Sequence, residues 1–486
     1  MIFRQFLNEP LSAASYLIGC VATGEAAVVD PSLPAEDYIL AAADKGLKIT
    51  KVIETHFHAD YFSTGRAIAA LTGATIYAPS RDDIQGEATS ATVLFDHVRV
   101  NDGDKIQVGN ITLTAIHTPG HTPEHMSYAI SDNPRAERPW MVLTGDCLFV
   151  NDVGRTDLVN LPMTGNDVMF ESVQKLLALP DDCEIFPAHY GGSACGGKNM
   201  SGKTSSTIGF ERRFNWMLQA RTKEEFARLA GETPRRVVEA VLRHRNTNRG
   251  ALPLPEALTE QGVASAVRAP ALTIQQAYEA TQTGAVLIDL RKQMDFAAGH
   301  PRGAINVTYH KDKLINRVSA VTAPGEPLIF ISDVPVVAAT AAALWSSQAS
   351  VQRNPVLGYV REPVQAWAAA GLPTATLPVG SLEDLHAHAQ AADAVILDVR
   401  EPFEWANGVI PNGKTDVRLI SLGNIRNYID ALPRDRKIVV TCESGTRASA
   451  VCSLLVRHGF SDLLNIAPEG MSDYTKRYPT VVPAAS

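Results

Sequence analysis

The sequence has no excess of positive charge. Its 486 residues include 44 Lys and Arg against 52 Asp and Glu, which gives a formal net charge of -8. Proteins bind nucleic acids largely through basic side chains that neutralise phosphates. The composition therefore argues against a nucleic-acid partner.

Long apolar runs and cysteine pairs are also missing. No segment approaches the ~18 apolar residues of a membrane span, and the segment MIFRQFLNEPLSAASYLIGC lacks the pattern of a secretory signal. We therefore expect a cytoplasmic protein with no membrane partner. The six cysteines form no Cys-x-x-Cys pair, so they resemble neither a disulfide framework nor a zinc knuckle, and free thiols are expected.

The length of the chain predicts several domains, since one domain takes roughly 150 residues. The N-terminal part alternates β-branched runs such as KVIET, ITLTAIHT and WMVLTGD with turns, and several of these runs end on His or Asp. This pattern predicts an α/β domain that presents polar side chains where strands end. We place this domain at residues 1–250 and a Pro-, Gly- and Ala-rich linker at residues 251–270.

The remainder of the chain contains an internal repeat. The segment AVLIDLRKQMDFAAGH recurs as AVILDVREPFEWANGV, and the offset between Asp289 and Asp398 also separates Asp333 from Cys442. An offset that is kept across two motifs indicates duplicated domains. Each copy has a strand, an Asp-x-Arg motif, a second apolar strand and an Ala-rich helix, which predicts an α/β unit with a parallel sheet. We place the copies at residues 271–379 and 380–486.

Imidazole and carboxylate groups follow three separate predicted strands of the first domain. These groups belong to His56, His58, Asp60, His121 and Asp146. A lone histidine is usually a satisfied turn or surface residue, but a cluster of this kind is difficult to explain by packing and predicts a metal site. The nearby His117 and His125 fit the pattern less well, and we expect them to be structural.

Together with His189, these residues resemble the motif of the metallo-β-lactamase superfamily, which is His-x-His-x-Asp-His followed by further His, Asp and His positions. The sequence departs from the motif at Tyr61, where the members that bind two metal ions have a histidine. A phenol with an unperturbed pKa near ~10 is a poor substitute for imidazole at neutral pH. The departure argues against a two-metal hydrolase.

Within this superfamily, the segments TGDCLFVNDVGRTDL, PAHYGG and STIGFERRFN resemble the persulfide dioxygenases. The resemblance implies an αβ/βα sandwich and one Fe(II) per chain, held by His56, His121 and Asp146. It also implies that O2 oxidises a low-molecular-weight persulfide, R-S-SH, to sulfite and a thiol. Two imidazoles and one carboxylate leave three positions on Fe(II) open, which is enough for both reactants.

The same resemblance gives roles to residues around the metal. His58, Asp60 and His189 would orient the metal ligands, and Arg155 would support the site or meet a substrate carboxylate. A plain surface salt bridge is the alternative for Arg155. Cys195 lies in a Gly- and Ser-rich loop directly after His189. Its thiol is either partly exposed and able to accept persulfide sulfur, or it is inert.

The segment KIVVTCESGTRASAVCSLLV predicts a strand, a loop from Cys442 to Arg447 and a helix. Backbone N–H groups in such a loop and the N-terminus of the helix favour anions. The segment resembles the active loop of rhodaneses, whereas phosphatases have one more residue between Cys and Arg. The resemblance implies that Cys442 and Arg447 are catalytic and that the sulfur donor binds against the four residues between them. These are Glu443, Ser444, Gly445 and Thr446.

The first copy has Asp333 in the position of Cys442 and Ala338 in the position of Arg447. A carboxylate cannot form a persulfide, so we expect this copy to be inactive in sulfur transfer. Two roles remain open for it, a scaffold and a dimer surface. A homo-oligomer is expected.

The order of the three domains resembles bacterial fusions of persulfide dioxygenase and sulfurtransferase that detoxify sulfide. The resemblance implies that the second copy interconverts sulfite plus persulfide and thiosulfate plus thiol, in a direction that the sequence leaves open. The thiol carrier is also open. Two alternatives are a glyoxalase II-like thioester hydrolase with an attached sulfurtransferase and a non-catalytic persulfide sensor.

Overall fold

The structure is a computed structural model that describes residues 1–83, 91–136, 138–157, 162–197, 199–231, 239–259, 269–347, 354–413 and 415–483. Its contacts divide the chain into two compact units, Met1–Ala266 and Val267–Ser486. Part of the predicted linker, residues 260–268, lies outside the described residues. None of the helices in the described ranges is long and apolar enough to cross a membrane.

The first unit contains two six-stranded sheets. In spatial order, the strands of the first sheet are Ile2–Asn8, Ala13–Cys20, Glu25–Val29, Lys48–Ile53, Thr75–Pro79 and Val98–Val100. Those of the second sheet are Ser206–Thr207, Glu184–Pro187, Met141–Gly145, Met126–Asp132, Ile111–His117 and Lys105–Val108. A short hairpin pairs Leu148–Phe149 with Asp152–Val153. The helices are Ala35–Asp44, Gly65–Thr72, Asn166–Leu177, Ile208–Phe214, Lys223–Ala230 and Glu239–Asn248.

Alternation of side chains along the strands produces two apolar cores in this unit. One core lies between the two sheets and includes Tyr16, Val29, Leu113 and Tyr128. The other lies between the second sheet and helix Asn166–Leu177. Helices Ala35–Asp44 and Gly65–Thr72 pack against strand Lys48–Ile53 of the first sheet. Two sheets packed face to face with helices outside form the predicted αβ/βα sandwich.

Parallel pairing explains why the predicted metal residues can meet. Strands Glu25–Val29 and Lys48–Ile53 run parallel in the first sheet, as do Met141–Gly145 and Glu184–Pro187 in the second. The carboxyl ends of parallel strands lie at one edge of a sheet. The two edges also meet, since Ala14 N donates to Ala188 O at 2.7 Å. The segments that follow these strands therefore form one polar cluster.

The second unit contains two five-stranded sheets of the same topology. The first sheet has the order Ala271–Leu272, Val356–Val360, Leu328–Ile331, Val286–Asp289 and Ile305–Asn306. The second has the order Val379–Gly380, Leu463–Ile466, Lys437–Thr441, Ala394–Asp398 and Asp416–Leu419. All strand pairs within these sheets are parallel.

Helices connect these parallel strands. In the first copy they are Ile274–Gln282, Gln293–Ala298, Leu314–Val321, Pro335–Ser347 and Gln365–Ala369. In the second they are Leu382–Ala391, Pro402–Trp405, Thr446–Arg457 and Met471–Arg477. The equal strand order in the two sheets agrees with the repeat in the sequence. The predicted fold class, a sandwich domain followed by α/β units with parallel sheets, is confirmed.

Candidate metal centre and sulfur-transfer loop

The structure brings His56, His121 and Asp146 together in the first unit. One donor atom of each residue lies within 4.8 Å of the others, and all three side chains are buried. Asp146 Oδ2 is 3.3 Å from His121 Nε2 and 3.7 Å from His56 Nε2. These are the three residues that the sequence predicts as metal ligands.

Neighbouring groups direct the lone pairs of both imidazoles toward the centre of this cluster. His121 Nδ1 donates to the carbonyl oxygen of Arg155 at 2.7 Å. Thr55 Oγ1 donates to Asp30 Oδ2 at 2.8 Å, and it can therefore accept from His56 Nδ1 at 2.9 Å. Each ring then carries its proton on Nδ1 and is left with an unprotonated Nε2, as metal binding requires.

The electrostatics of the cluster also fit a cation. Burial, followed by the charge of neighbouring histidines, holds the pKa of His56 well below its ordinary value, and burial likewise lowers the pKa of His121. Burial raises the pKa of Asp146, but His189 outweighs this and lowers it. His121 Nε2 and Asp146 Oδ2 are buried without a hydrogen-bond partner. Two neutral imidazoles and one carboxylate with orphaned donor atoms form a set that a divalent metal ion would satisfy.

A second cluster, formed by His58, Asp60 and His189, lies beside the first. His189 lies between two carboxylates, with Nδ1 2.8 Å from Asp146 Oδ1 and Nε2 2.8 Å from Asp60 Oδ2. Although burial lowers its pKa, these carboxylates raise the pKa of His189 well above the ordinary value. His58 Nε2 lies 3.2 Å from Asp30 Oδ1. The imidazoles of this second cluster therefore already have acidic partners.

Tyr61 lies against the second cluster and is buried. Its ring stacks on that of His58, with centroids 4.4 Å apart, and its hydroxyl donates to Asp30 O at 3.3 Å. Burial, reinforced by the charge of Asp30, raises the pKa of Tyr61 well above its ordinary value. A neutral phenol that donates its proton elsewhere is a poor metal ligand.

Helix Glu239–Asn248 holds the loop that carries His56 and His58. Arg245 forms a buried bidentate ion pair with Glu124 at 2.9 and 3.0 Å, and Glu124 also accepts from Phe57 N. Asn248 Nδ2 donates to the carbonyl oxygens of His58 and Tyr61. Because this support comes from a distant part of the chain, sequence patterns near the histidines gave no signal for it.

Two further residues that the sequence analysis did not place among the site residues shape the centre. Asp146 N donates to His125 Nε2 at 2.8 Å, and burial lowers the pKa of His125 to about 3. His125 is therefore a neutral acceptor that positions the Asp146 backbone, which agrees with the structural role expected for it. Asp30 contacts both Thr55 and His58. Its place at the end of the run AAVVD is the signal that could have identified it.

Arg155 acts on the centre through its backbone. Its carbonyl oxygen orients His121, whereas its guanidinium forms two 2.7 Å bonds to the Asp157 carboxylate. Cys195 lies beside it, since Arg155 N donates to Cys195 O at 2.9 Å. The geometry favours a supporting role for Arg155 over contact with a substrate carboxylate.

Cys195 is 3% exposed, which argues against the first of the two alternatives for it, a partly exposed thiol. An isolated β-bridge between Gly154 and Gly196 packs the loop of Cys195 onto the centre. The Cys195 Sγ atom lies within 4.8 Å of donor atoms of Asp146 and His189. Burial, followed by the charge of Asp146 and Asp60, raises the pKa of Cys195 well above its ordinary value. Cys195 is therefore a protonated thiol at the edge of the cluster.

The strand, loop and helix predicted around Cys442 are present in the second unit. Strand Lys437–Thr441 ends at the buried Cys442, and helix Thr446–Arg457 begins directly after Gly445. Gly445 has a φ of +78°, and a Cβ there would meet the Cβ of Ala467 at 2.3 Å, so the turn requires glycine. The Arg447 guanidinium forms an ion pair with the Glu404 carboxylate, with Nη2 2.7 Å from Oε1.

The remaining loop residues differ in exposure. Ser444 is exposed, whereas Glu443 and Thr446 are intermediate, and Glu443 contacts the hydroxyl of Ser472.

In the first copy, Asp333 accepts from Gln365 Nε2 at 2.8 Å, and Ala338 is buried. That copy therefore has a carboxylate and no thiol at the position that corresponds to Cys442.

Comparisons with known proteins agree with this arrangement. The metallo-beta-lactamase superfamily model matches residues 8–189. A hydroxyacylglutathione hydrolase of Rhodopseudomonas palustris is 32% identical over 210 residues, which are 43% of this chain and 71% of the relative. The chain belongs to the metallo-β-lactamase superfamily.

Other metallo-β-lactamase superfamily members are similar to the chain. The human mitochondrial persulfide dioxygenase ETHE1 is 29% identical and matches 48% of this chain and 81% of its own length. A metallo-beta-lactamase structure from Staphylococcus aureus has a TM-score of 0.47 and 30% identity, and it covers 74% of this chain and 98% of its own. The rhodanese-like domain model matches residues 273–369 and 381–477. The chain thus joins a metallo-β-lactamase domain with persulfide dioxygenase homologues to two rhodanese-like domains.

Removal of any residue of the first cluster should remove the metal. His56→Ala, His121→Ala and Asp146→Ala each delete one of three donors, so we expect the purified variants to lose most of the metal that the parent binds. Elemental analysis of the purified proteins measures this. His117→Ala is the matched control, because its imidazole contacts Pro123 O outside the cluster. Full metal content in any of the three variants would contradict the ligand assignment.

The Arg245 ion pair should stabilise the first unit. Arg245→Ala leaves the buried Glu124 carboxylate without its partner, which should lower the free energy of unfolding by about 3–5 kcal/mol. Chemical denaturation monitored by circular dichroism measures the difference. Arg243→Ala, on the exposed face of the same helix, should change stability by less than about 0.5 kcal/mol. Equal stability of the two variants would show that the pair does not hold the loop.

Proposed function

We propose that the chain is an iron-dependent persulfide dioxygenase coupled to a rhodanese-type sulfurtransferase. One Fe(II) per chain would be held by His56, His121 and Asp146. The substrates would be a low-molecular-weight persulfide, O2 and water, and the products sulfite and a thiol. Cys442 in the second rhodanese-like copy would carry the outer sulfur of a persulfide to sulfite, which forms thiosulfate, or would catalyse the reverse transfer.

The difference between the two clusters of metal-binding residues carries this proposal. His121 Nε2 and Asp146 Oδ2 of the first cluster are orphaned and lie 3.3 Å apart. In the second cluster His58 Nε2 and Asp60 Oδ1 also lack a hydrogen-bond partner, but both nitrogens of His189 contact carboxylates and leave it no free lone pair for a metal ion. One metal ion is thus favoured over two. Iron(II) held by two imidazoles and one carboxylate would have open positions for both reactants and would supply the redox chemistry that activates O2, while the electrons that reduce O2 would come from the persulfide sulfur.

The protein residues around this centre fix its geometry and bury its donor atoms. The carbonyl oxygen of Arg155 sets the ring orientation of His121, and His125 fixes the backbone of Asp146. All three proposed ligands are at most 1% exposed. A buried, pre-oriented set of donors does not have to reorganise when substrate arrives.

Sulfur transfer would proceed through a persulfide on Cys442. The Cys442 thiolate attacks the outer sulfur of a donor persulfide, the S–S bond of the donor breaks, and the thiol RSH leaves after protonation. Sulfite then attacks the outer sulfur on Cys442, which yields thiosulfate and restores the thiolate. No net oxidation occurs in this half of the reaction. The inactive first copy has no thiol at the equivalent position and cannot take part as a carrier.

Hydrolysis of a glutathione thioester is the second candidate, because one relative is named hydroxyacylglutathione hydrolase. The cluster of His58, Asp60 and His189 could in principle hold a second ion. Tyr61 argues against it, since its phenol donates to Asp30 O and is not directed at that cluster as a ligand. A persulfide sensor without turnover would also use the iron site, and it would consume no O2.

Cys442→Ser should separate the two proposed activities. It removes the sulfur carrier and leaves the metal residues unchanged, so persulfide-dependent O2 uptake should continue at the parent rate while the product shifts from thiosulfate to free sulfite. Parallel measurement of O2, sulfite and thiosulfate tests this. Asp333→Ala is the matched control at the equivalent position of the first copy and should leave both activities nearly unchanged. Thiosulfate formation by Cys442→Ser at the parent rate would show that another residue carries the sulfur.

A further inference from the structure

The inactive rhodanese-like copy is hydrogen-bonded to the helix that begins at the transfer loop. Asn306 of the first copy donates through its backbone N–H to Ser453 Oγ at 3.0 Å and accepts from Ser449 Oγ at 2.7 Å. Asn306 and Ser449 are fully buried, and Ser453 is nearly so. Buried polar networks of this kind fix one relative arrangement of the elements that they join. Helix Thr446–Arg457 is thus fixed against the first copy.

A second hydrogen bond reaches the transfer loop itself. Gln293 Nε2 of the first copy donates to the carbonyl oxygen of Ser444 at 2.8 Å. Ser444 lies two residues after Cys442 and belongs to the loop whose N–H groups are expected to bind the sulfur donor. Gln293 therefore holds the backbone of the transfer loop from outside its own domain.

The first copy also brings a cation to this region. Arg317 lies on helix Leu314–Val321, which packs against Leu422–Asn427 and the helix Thr446–Arg457. Burial, followed by repulsion from Arg447, lowers the pKa of Arg317, and Cys442 opposes this shift. The helix that carries Arg317 is thus in contact with the helix that begins at the transfer loop.

Arg447 of the transfer loop and Arg317 of the first copy differ in their partners. The charge of Arg447 is balanced by Glu404, which accepts two hydrogen bonds from its guanidinium. Arg317 has a 3.5 Å contact with Thr308 O and, within the described ranges of the chain, no carboxylate at salt-bridge distance. Arg317 is thus a cation of the first copy that has no acidic partner among the described residues, and its helix packs on the helix that begins at the transfer loop.

We propose that the inactive copy completes the sulfur-transfer site, with Arg317 binding the sulfite group of thiosulfate and Gln293 positioning the loop. This inference rests on the proposed transfer at Cys442. When thiosulfate is the donor, the Cys442 thiolate attacks its outer sulfur, the S–S bond breaks, and the electron pair leaves with sulfite. Negative charge on the leaving group grows in this step, and a cation without an acidic partner stabilises it. In the reverse direction the same guanidinium receives sulfite.

Steady-state sulfur transfer from thiosulfate to cyanide tests the role of Arg317. Arg317→Gln should lower kcat/KM for thiosulfate by about 10- to 100-fold, the usual effect of losing a charge-assisted hydrogen bond. Arg317→Lys keeps the charge without the planar guanidinium, and its KM for thiosulfate should lie between those of the parent and Arg317→Gln. Lys313→Gln, an exposed change just before the same helix, is the control and should match the parent.

Gln293→Ala tests the positioning role in the same assay and should lower kcat more than it raises the KM for thiosulfate. Thermal unfolding and persulfide-dependent O2 uptake, measured on every variant, report folding. If Arg317→Gln does not fold, Arg317→Lys tests the proposal in its place. A KM for thiosulfate equal to that of the parent would then overturn the proposal. A folded Arg317→Gln with parent kcat/KM would also overturn it. A parent protein that cannot transfer sulfur would instead refute the proposed function of Cys442.

Discussion

The candidate metal centre of the first unit depends on the buried carboxylate of Asp146. Its two oxygens face different partners, since Oδ2 faces the imidazoles of His56 and His121, and Oδ1 contacts His189. A carboxylate that is removed from water must be compensated by positive charge or hydrogen bonds. His189 compensates one oxygen, and the orphaned Oδ2 is left for a metal ion. The Asp146 carboxylate therefore belongs to the first cluster of candidate metal ligands and contacts His189 of the second.

Support for this carboxylate and its neighbours comes from distant parts of the chain. The Arg245–Glu124 pair and Asn248 hold the loop of His56 and His58 from a helix near the end of the unit. The transfer loop of the second unit is held in a similar way, by Gln293 and Asn306 of the other copy. In both units, residues outside the local motif determine whether the motif keeps its geometry.

Local motifs made the fold and the grouping of the three proposed metal ligands predictable. Strand ends followed directly by His or Asp identified His56, His121 and Asp146, and the repeated Asp-x-Arg motif identified the duplicated domains. Asn248 and Arg245 were not predictable, because their contacts join segments far apart in the chain. The burial of Cys195 depends on the packing of its loop against Gly154, and composition alone suggested an exposed loop. The packing of the Arg317 helix on the helix Thr446–Arg457 likewise follows from how the two copies pack.

The central claim is that one iron ion uses O2 to oxidise a persulfide. The most direct test is to measure the metal content of the purified parent protein together with its O2 uptake, using glutathione persulfide as substrate and a glutathione thioester in parallel. The account predicts about one iron per chain and little zinc. It also predicts that the O2 consumed equals the sulfite plus thiosulfate formed, and that the thioester is not hydrolysed. Two zinc ions per chain with thioester hydrolysis and no O2 uptake would contradict it.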